Sequence, residues 1–338
     1  MTIGLDIGSK TIKIVELEKQ GQSMKLLASG IIGYDGPSLD KISQDAQLGG
    51  VANLIRKLAK EARVGGKEVA LSLPEQLVFT RTIKFPLLSD AEVASAVKWE
   101  AEQYIPMPIN EAIIQHIVLS RDEAANQTVV LLVAAPRTVA EKYTKLVQMA
   151  GLSPVQMETE LIALCRSLAP KDRTCLIIDL GAGSTDIAIA KNGSLYFSRS
   201  LATAGEAFTR SLSQTLSITV QQAEEYKKTY GLSSQQLEGK VKGALEPVVA
   251  SVVDEIKKAV HYYQSEEKGQ APTSVILTGG SSFMPEAISF FSQLLGLEIE
   301  IGNPFANIAM SEEAAKVLKN YAPLYAVAVG LALYETSY

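Results

Sequence analysis

Short apolar runs broken by glycine and small polar residues set the rhythm of this chain, and one such phrase occurs twice. Gly4-Leu5-Asp6-Ile7-Gly8-Ser9-Lys10-Thr11 is followed by the apolar run 12–17. Ile178-Asp179-Leu180-Gly181-Ala182-Gly183-Ser184-Thr185-Asp186 is followed by the run 187–190. Each phrase predicts a strand, a tight turn and a second strand. Around the first copy the pattern predicts a strand at 25–34, a turn at 35–38, and a helix at 51–62 with Val51, Leu54, Ile55 and Leu58 on one face. Strands follow at 69–73 and 77–85 about Pro74. Ser89-Asp90-Ala91-Glu92 predicts a capping box opening a helix to about residue 103, stopped by Pro106 and Pro108. With strands at 112–120 and 128–135 and a helix at 138–150, residues 86–152 form a compact α+β segment inserted into the first half.

A short helix at 158–168 leads into the second copy, and a strand at 194–201 gives that hairpin the third strand that 25–34 gives the first. Helices are predicted at 206–217, 219–230 and 245–267, then a strand at 274–278 ending in Gly279-Gly280-Ser281-Ser282, a helix at 285–295, and a final small-residue helix at 325–334. The repeat in this chain is a duplication of half-domains.

At 338 residues two or more domains are expected. A net charge of −5 without blocks of like charge argues against a nucleic-acid surface. Two cysteines, Cys165 and Cys175 in apolar surroundings, make a disulfide scaffold or zinc site improbable and point to a reducing cytoplasm. His116 and His261 are the only histidines, little material for histidine catalysis. The apolar runs are strand-length, and the first strand starts at once, so neither a membrane span nor a signal peptide is expected.

The two turns suit phosphate. Glycines allow close approach of backbone N–H groups, Ser and Thr hydroxyls add donors, and an aspartate at each strand end suits magnesium through its water shell. Two related halves are expected to close on one nucleotide. Lys13 shares a strand face with Thr11 and is either a phosphate partner or a solvated lysine. Glu224 and Lys227 are either a surface ion pair or the edge of a helix bordering the nucleotide sugar. Glu158 or Glu160 either orients an attacking water or places favourable charge at a helix N-terminus. Gly279-Gly280 either needs a positive φ or presses against a ring. Trp99 either packs under its helix or, with Tyr104, borders a groove for another chain.

The order of hairpin, carboxylate helix, hairpin, Glu/Lys helix, Gly-Gly turn and terminal small-residue helix resembles the actin/sugar-kinase/heat-shock-chaperone ATPase superfamily. Within it the chain is most similar to the PilM family of type IV pilus assembly proteins, relatives of FtsA. The opening through Lys13-Ile14-Val15-Glu16-Leu17 and the stretch Trp99-Glu100-Ala101-Glu102-Gln103-Tyr104-Ile105-Pro106 carry the likeness. The resemblance implies an α/β fold of two RNase H-like halves with inserted subdomains in the FtsA-like arrangement. The first half (1A) would be 1–85, 153–168 and 321–338, with 86–152 as subdomain 1C. The second half (2A) would be 169–202 and 265–320, with 203–264 as helical subdomain 2B.

It implies ATP and Mg2+, the metal held through water by Asp6 and Asp179. Phosphate and sugar contacts would fall on Gly8, Ser9, Lys10, Lys13, Gly181, Gly183, Ser184, Thr185, Gly205, Glu224, Lys227, Gly279, Gly280 and Ser281. Glu160 would orient water in what is at most a slow ATPase; relatives often carry Glu-Pro where this chain has Glu160-Leu161, which leaves Glu158 open for the same role. The family role implied is a cytoplasmic scaffold or switch that binds the N-terminal peptide of an inner-membrane PilN-like protein at a groove near Trp99 and Tyr104. It would meet the membrane through partners, with other pilus proteins and self-association as further contacts. Rival readings are an FtsA-like division filament, against which stands the lack of a terminal amphipathic helix, and a small-molecule kinase, for which no substrate base is visible.

Overall fold

The computed structural model describes residues 1–265 and 268–334. The chain divides into two compact units. The first holds Met1–Arg166, Ser194–Ser198 and the described residues from Val327; the second holds Ser167–Gly193 and Arg199–Ala326.

In the first unit β1 (Thr2–Ile7), β2 (Thr11–Gln20) and β3 (Ser23–Gly33) form an antiparallel meander. Helix α1 (Asp45–Glu61) returns the chain to β4 (Glu68–Leu73), parallel to β1. After β5 (Phe79–Phe85), α2 (Asp90–Tyr104), β6 (Ala112–Asp122), β7 (Gln127–Pro136) and α3 (Arg137–Met149) comes β8 (Ser153–Thr159), parallel to β4. These five strands lie in the order β3-β2-β1-β4-β8. Ile3, Leu5 and Ile7 alternate onto one face of β1, where α1 and α3 bury Leu48, Val51, Ile55, Leu58, Tyr143, Leu146 and Val147 against them. Glu16 of β2 is buried and accepts the N–H groups of Gly65 and Gly66 (2.9 and 2.7 Å), pinning the loop before β4.

Gly4 faces the other side of β1. There the backbone of a terminal helix lies so close that any Cβ would collide with the Ala328 carbonyl oxygen.

A smaller antiparallel sheet, β5-β7-β6, is covered by α2. The Ser89 N–H donates to Glu92 (2.8 Å) at the helix start, as the capping box predicts. Val93, Val97, Ala101 and Ile105, four residues apart, form the helix's buried stripe over Ile83, Val130, Leu132 and Ala134. Helix α3 belongs to the core of the larger sheet.

Helix α4 (Glu160–Leu168) leads to the second unit's β9 (Thr174–Leu180) and β10 (Thr185–Lys191), then to β11 (Ser194–Leu201), of which Arg199–Leu201 belong to that unit. Helices α5 (Gly205–Leu216), α6 (Val220–Tyr230) and α7 (Lys240–Ser265) pack together, then β12 (Val275–Thr278), α8 (Ala287–Leu295) and β13 (Ile299–Ile301) complete the layer. Strand order is Arg199–Leu201 of β11, then β10-β9-β12-β13, with β9, β12 and β13 mutually parallel. That is the order and direction of β3-β2-β1-β4-β8, so the duplicated phrase marks a duplicated topology. β14 (Ile308–Ala309), α9 (Glu312–Leu318) and α10 (Ala326–Ala332) end the described chain.

Several elements differ from the sequence expectation. Helix α1 starts six residues before the expected 51, running through Gly49-Gly50. Helix α7 starts at Lys240 and carries Pro247 inside it; the last two residues of the expected 245–267 helix lie outside the described residues, as do the last four of 321–338. Strand β8 and the short β13, β14 and α9 have no counterpart in the expectation. Cys165 and Cys175 are buried, and burial pushes the Cys175 thiol up to about 12, so it stays protonated.

Candidate functional site

The two hairpins place their aspartates at matching register positions. Asp6 pairs across the ladder with Lys13, and Asp179 with Asp186. In the first hairpin Lys13 Nζ donates to Asp6 Oδ2 at 2.9 Å, both side chains nearly buried. Lys13 is thus an internal counter-ion, not a solvated strand lysine. The Gly8 N–H closes the turn onto the Thr11 carbonyl (3.1 Å). A Cβ at Gly8 would come within 3.2 Å of Lys13 Nζ, so the glycine leaves the ammonium uncovered. Ser9 and Lys10 stand exposed at the tip, and Lys10 lies 3.5 Å from Asp35.

The second hairpin carries acid against acid. Asp186 is buried; Ser184 donates to it at 2.7 Å and Ser200 also donates. Burial raises its carboxyl above the usual range, while those two hydroxyls pull the other way. Asp186 has no role in the sequence expectation; its cross-strand position opposite Asp179 is the signal that singles it out. Gly279 has φ +84°, and any Cβ there would collide with the Asp179 carboxylate. Gly279 therefore meets the expectation of a positive φ, and the group its backbone approaches is the Asp179 carboxylate. Gly280 opens a 3-10 turn through Phe283, so α8 begins at Ala287, two residues later than expected.

The Gly181 N–H closes its turn onto the Ser184 carbonyl (2.9 Å), with Ala182, Gly183 and Ser184 half-buried around it. Gly205 and Glu206 at the start of α5 donate their N–H groups to the carbonyls of Gly181 (3.1 Å) and Ala182 (2.9 Å). The Thr185 hydroxyl donates to the Thr203 carbonyl (2.8 Å), and Ser281 Oγ to Gly181 (3.4 Å). Asp179, Gly181, Thr185, Gly205, Gly279 and Ser281 are thus brought together within one unit.

Lys227 is buried, so the surface ion-pair reading fails for it. Its ammonium donates to Glu224 Oε2 (2.7 Å), Thr209 Oγ1 (2.9 Å) and the Gly205 carbonyl (3.0 Å). Burial lowers its basicity. Burial also pushes the Glu224 carboxyl up, but hydrogen bonds from Lys227 and Thr209 and the Lys227 charge outweigh this and hold it at about 2.

Glu158 is the last-but-one residue of β8, not part of a helix, and α4 begins at Glu160. Arg166 grips Glu158 with two donors, the longer 2.7 Å, and also donates to the Gly330 carbonyl at 2.8 Å, so Glu158 is committed to a structural pair. Glu160 accepts the Glu75 N–H at 3.3 Å. Tyr143 is held protonated by burial first and by the nearby charges of Glu160, Asp40 and Asp6.

Trp99 is 75 % exposed. The reading that packs it under its helix is corrected: it lies two residues from both Val97 and Ala101, hence on the opposite side of α2. Tyr104 is half-buried beneath the Arg81 guanidinium, 4.0 Å from its ring centre.

The family model described as "Type IV pilus assembly protein PilM" matches residues 4–336. The chain belongs to that family. A solved PilM–PilN type IV pilus biogenesis complex matches all of this chain and 99% of its own at 27% identity, with a TM-score of 0.85. Cell division protein FtsA of Enterococcus hirae is 22% identical over 90% of this chain and 78% of its own length. The ADP-bound MreB5 of Spiroplasma citri superposes over 99% of this chain and 96% of its own, with a TM-score of 0.59 at 14% identity, a likeness of fold. The fold is that of the actin-like ATPases, and the function is type IV pilus assembly. Among the described residues no helix is long and apolar enough to cross a membrane.

Proposed function

We propose that this chain is an ATP-binding scaffold of type IV pilus assembly that takes the cytoplasmic N-terminal peptide of a PilN-like inner-membrane protein and reaches the membrane through it. The observation that carries the reading is the full-length likeness to a PilM–PilN complex at a TM-score of 0.85 and 27% identity. Helix α2 is the proposed docking element. It exposes Trp99 and holds Tyr104 under Arg81, and aromatic and arginine anchors dominate such interfaces. For an extended peptide, main-chain hydrogen bonds supply affinity and side-chain pockets specificity.

ATP is assigned to the hairpin turns, supported by the two Asp-containing loops and the Gly279 turn. The residues fit magnesium brought by the nucleotide. The described residues hold no group of three His, Cys, Asp or Glu side chains able to cage a metal, while Asp6 and Asp179 each stand near the end of the strand that enters a hairpin turn. Such carboxylates suit an ion that keeps its waters and takes phosphate oxygens as ligands. Bound there, magnesium would neutralise phosphate charge. Lys13 would balance Asp6, and Gly279 would fix the Asp179 carboxylate in place.

Trp99 is the only tryptophan, so intrinsic fluorescence reports on α2 alone. Titration with the host's PilN N-terminal peptide is expected to change Trp99 emission and saturate. No change up to a few hundred micromolar, roughly −5 kcal/mol, together with no binding of a labelled peptide by anisotropy, refutes the docking assignment.

A further inference from the structure

We infer that Lys227 is a positioning residue for the Gly181–Ser184 turn, acting through the first turn of α5. The inference rests on the proposed role of that turn in holding nucleotide phosphate.

A lysine ammonium has three hydrogens to give. Here they meet three acceptors at 2.7–3.0 Å, all on α5 and α6: Glu224, Thr209 and the Gly205 carbonyl. One of the three is the carbonyl of the peptide that starts α5. That peptide is one bond network away from the turn. Gly205 accepts Lys227 on its carbonyl and donates its N–H to Gly181, while Glu206 donates to Ala182. The residue before Gly205 is Ala204, which has no side-chain cap to offer, so the N–H groups at the start of this helix find their acceptors on the turn. Sideways movement of the junction is blocked, because an ideal Cβ on Gly205 would lie 2.6 Å from Ser281 Oγ and 3.0 Å from the Gly181 carbonyl. Thr209, buried beside Lys227, donates to the same Gly205 carbonyl at 2.9 Å and lies 2.6 Å from Glu224. The start of α5 and the turn therefore move as one piece, and Lys227 bolts that piece to α6.

The test is hydrogen exchange on nucleotide-free protein, followed by nucleotide titration. Lys227→Met keeps the length of the side chain and removes the ammonium. Exchange is expected to quicken in peptides covering 179–186 and 203–209, while β12 is unchanged. In titrations ATP affinity is expected to fall about tenfold and adenosine affinity to stay within about twofold, because the phosphate end of the site is what loosens. Unchanged exchange at 179–186 in folded Lys227→Met, or equal weakening of ATP and adenosine, overturns the inference in favour of a direct sugar contact or a general loss of fold. If Lys227→Met does not fold, Thr209→Val replaces it, with Thr209→Ser expected to restore normal exchange and Thr209→Val without effect counting against the inference. Wild-type protein that binds neither ligand defeats the nucleotide reading of the turn, and exchange at 179–186 still decides the role of Lys227.

Discussion

At the scale of single residues, the two hairpins carry the same backbone and opposite electrostatics. Asp6 faces a cation, Asp179 faces a second carboxylate, and both outcomes follow from one register position. The difference is legible once the strands are paired, because Lys13 and Asp186 are both in the primary sequence; pairing is what a linear reading lacks. Glu224 yields a pH prediction. Its carboxyl is held at about 2 in the fold, against about 4.3 when unfolded. A depressed folded value means that the stabilisation is present above pH ~4.3 and is lost as pH falls toward 2. Melting temperatures of wild type and Glu224→Gln are therefore expected to differ at neutral pH and to converge below about pH 4. A constant gap across that range would show that the carboxylate charge is not what the network uses.

Among the elements, α2 separates core from docking face along a single helix. Val97→Ala removes a fully buried side chain and is expected to cost roughly 1.5–3 kcal/mol, with a further cavity term. Trp99→Ala removes an exposed one and is expected to change stability by less than about 0.5 kcal/mol while weakening peptide binding by about 2 kcal/mol or more. Chemical denaturation beside peptide anisotropy checks both, and a strongly destabilised Trp99→Ala would contradict the exposed position of the ring. The helix ends were legible from Ser89, Glu92, Pro106 and Pro108. The exposure of Trp99 was also available, from the four-residue spacing of Val93, Val97, Ala101 and Ile105, but aromatic size suggests core until that stripe is drawn. Other elements resisted reading for physical reasons. Gly49-Gly50 marks a helix break by propensity, yet packing of Leu48 and Val51 into the core carries α1 through it. Strand β8 opens with Ser153-Pro154, a poor strand start, and Glu158 reads as helix-opening charge until Arg166, eight residues on, claims it.

For the molecule as a whole, duplication was visible in the repeated phrase, and the shared strand order carries it through five strands in each unit. The distant ties were not visible: Lys227 to Gly205, Gly279 beneath Asp179, and Arg166 to Gly330 each depend on chain segments brought together only by folding. A ligand prediction belongs at this scale. A nucleotide that binds only the folded chain stabilises it by about 2.7 kcal/mol at a hundredfold excess over Kd. Mg2+–ATP is therefore expected to raise the melting temperature by several degrees. EDTA should remove most of that gain. Asp179→Ala should lose about 1.5–3 kcal/mol of ATP affinity, the worth of a hydrogen bond to a charged group. A shift indifferent to EDTA and to Asp179 would send the nucleotide elsewhere on the protein.

The contact between Gly4 and the terminal helix α10 has a consequence for the order in which the protein is made. Strand β1 leaves the ribosome before the rest of its sheet, but the helix that lies on its Gly4 side is translated more than three hundred residues later. At about 5–20 residues per second that is a delay of roughly 15 to 60 s. Almost all of the second unit, by contrast, is one continuous stretch of chain ending at Ala326. During synthesis the later half is thus able to mature as soon as it emerges, while the earlier half waits with one face of its central strand uncovered, a face that a chaperone on the nascent chain would be expected to hold.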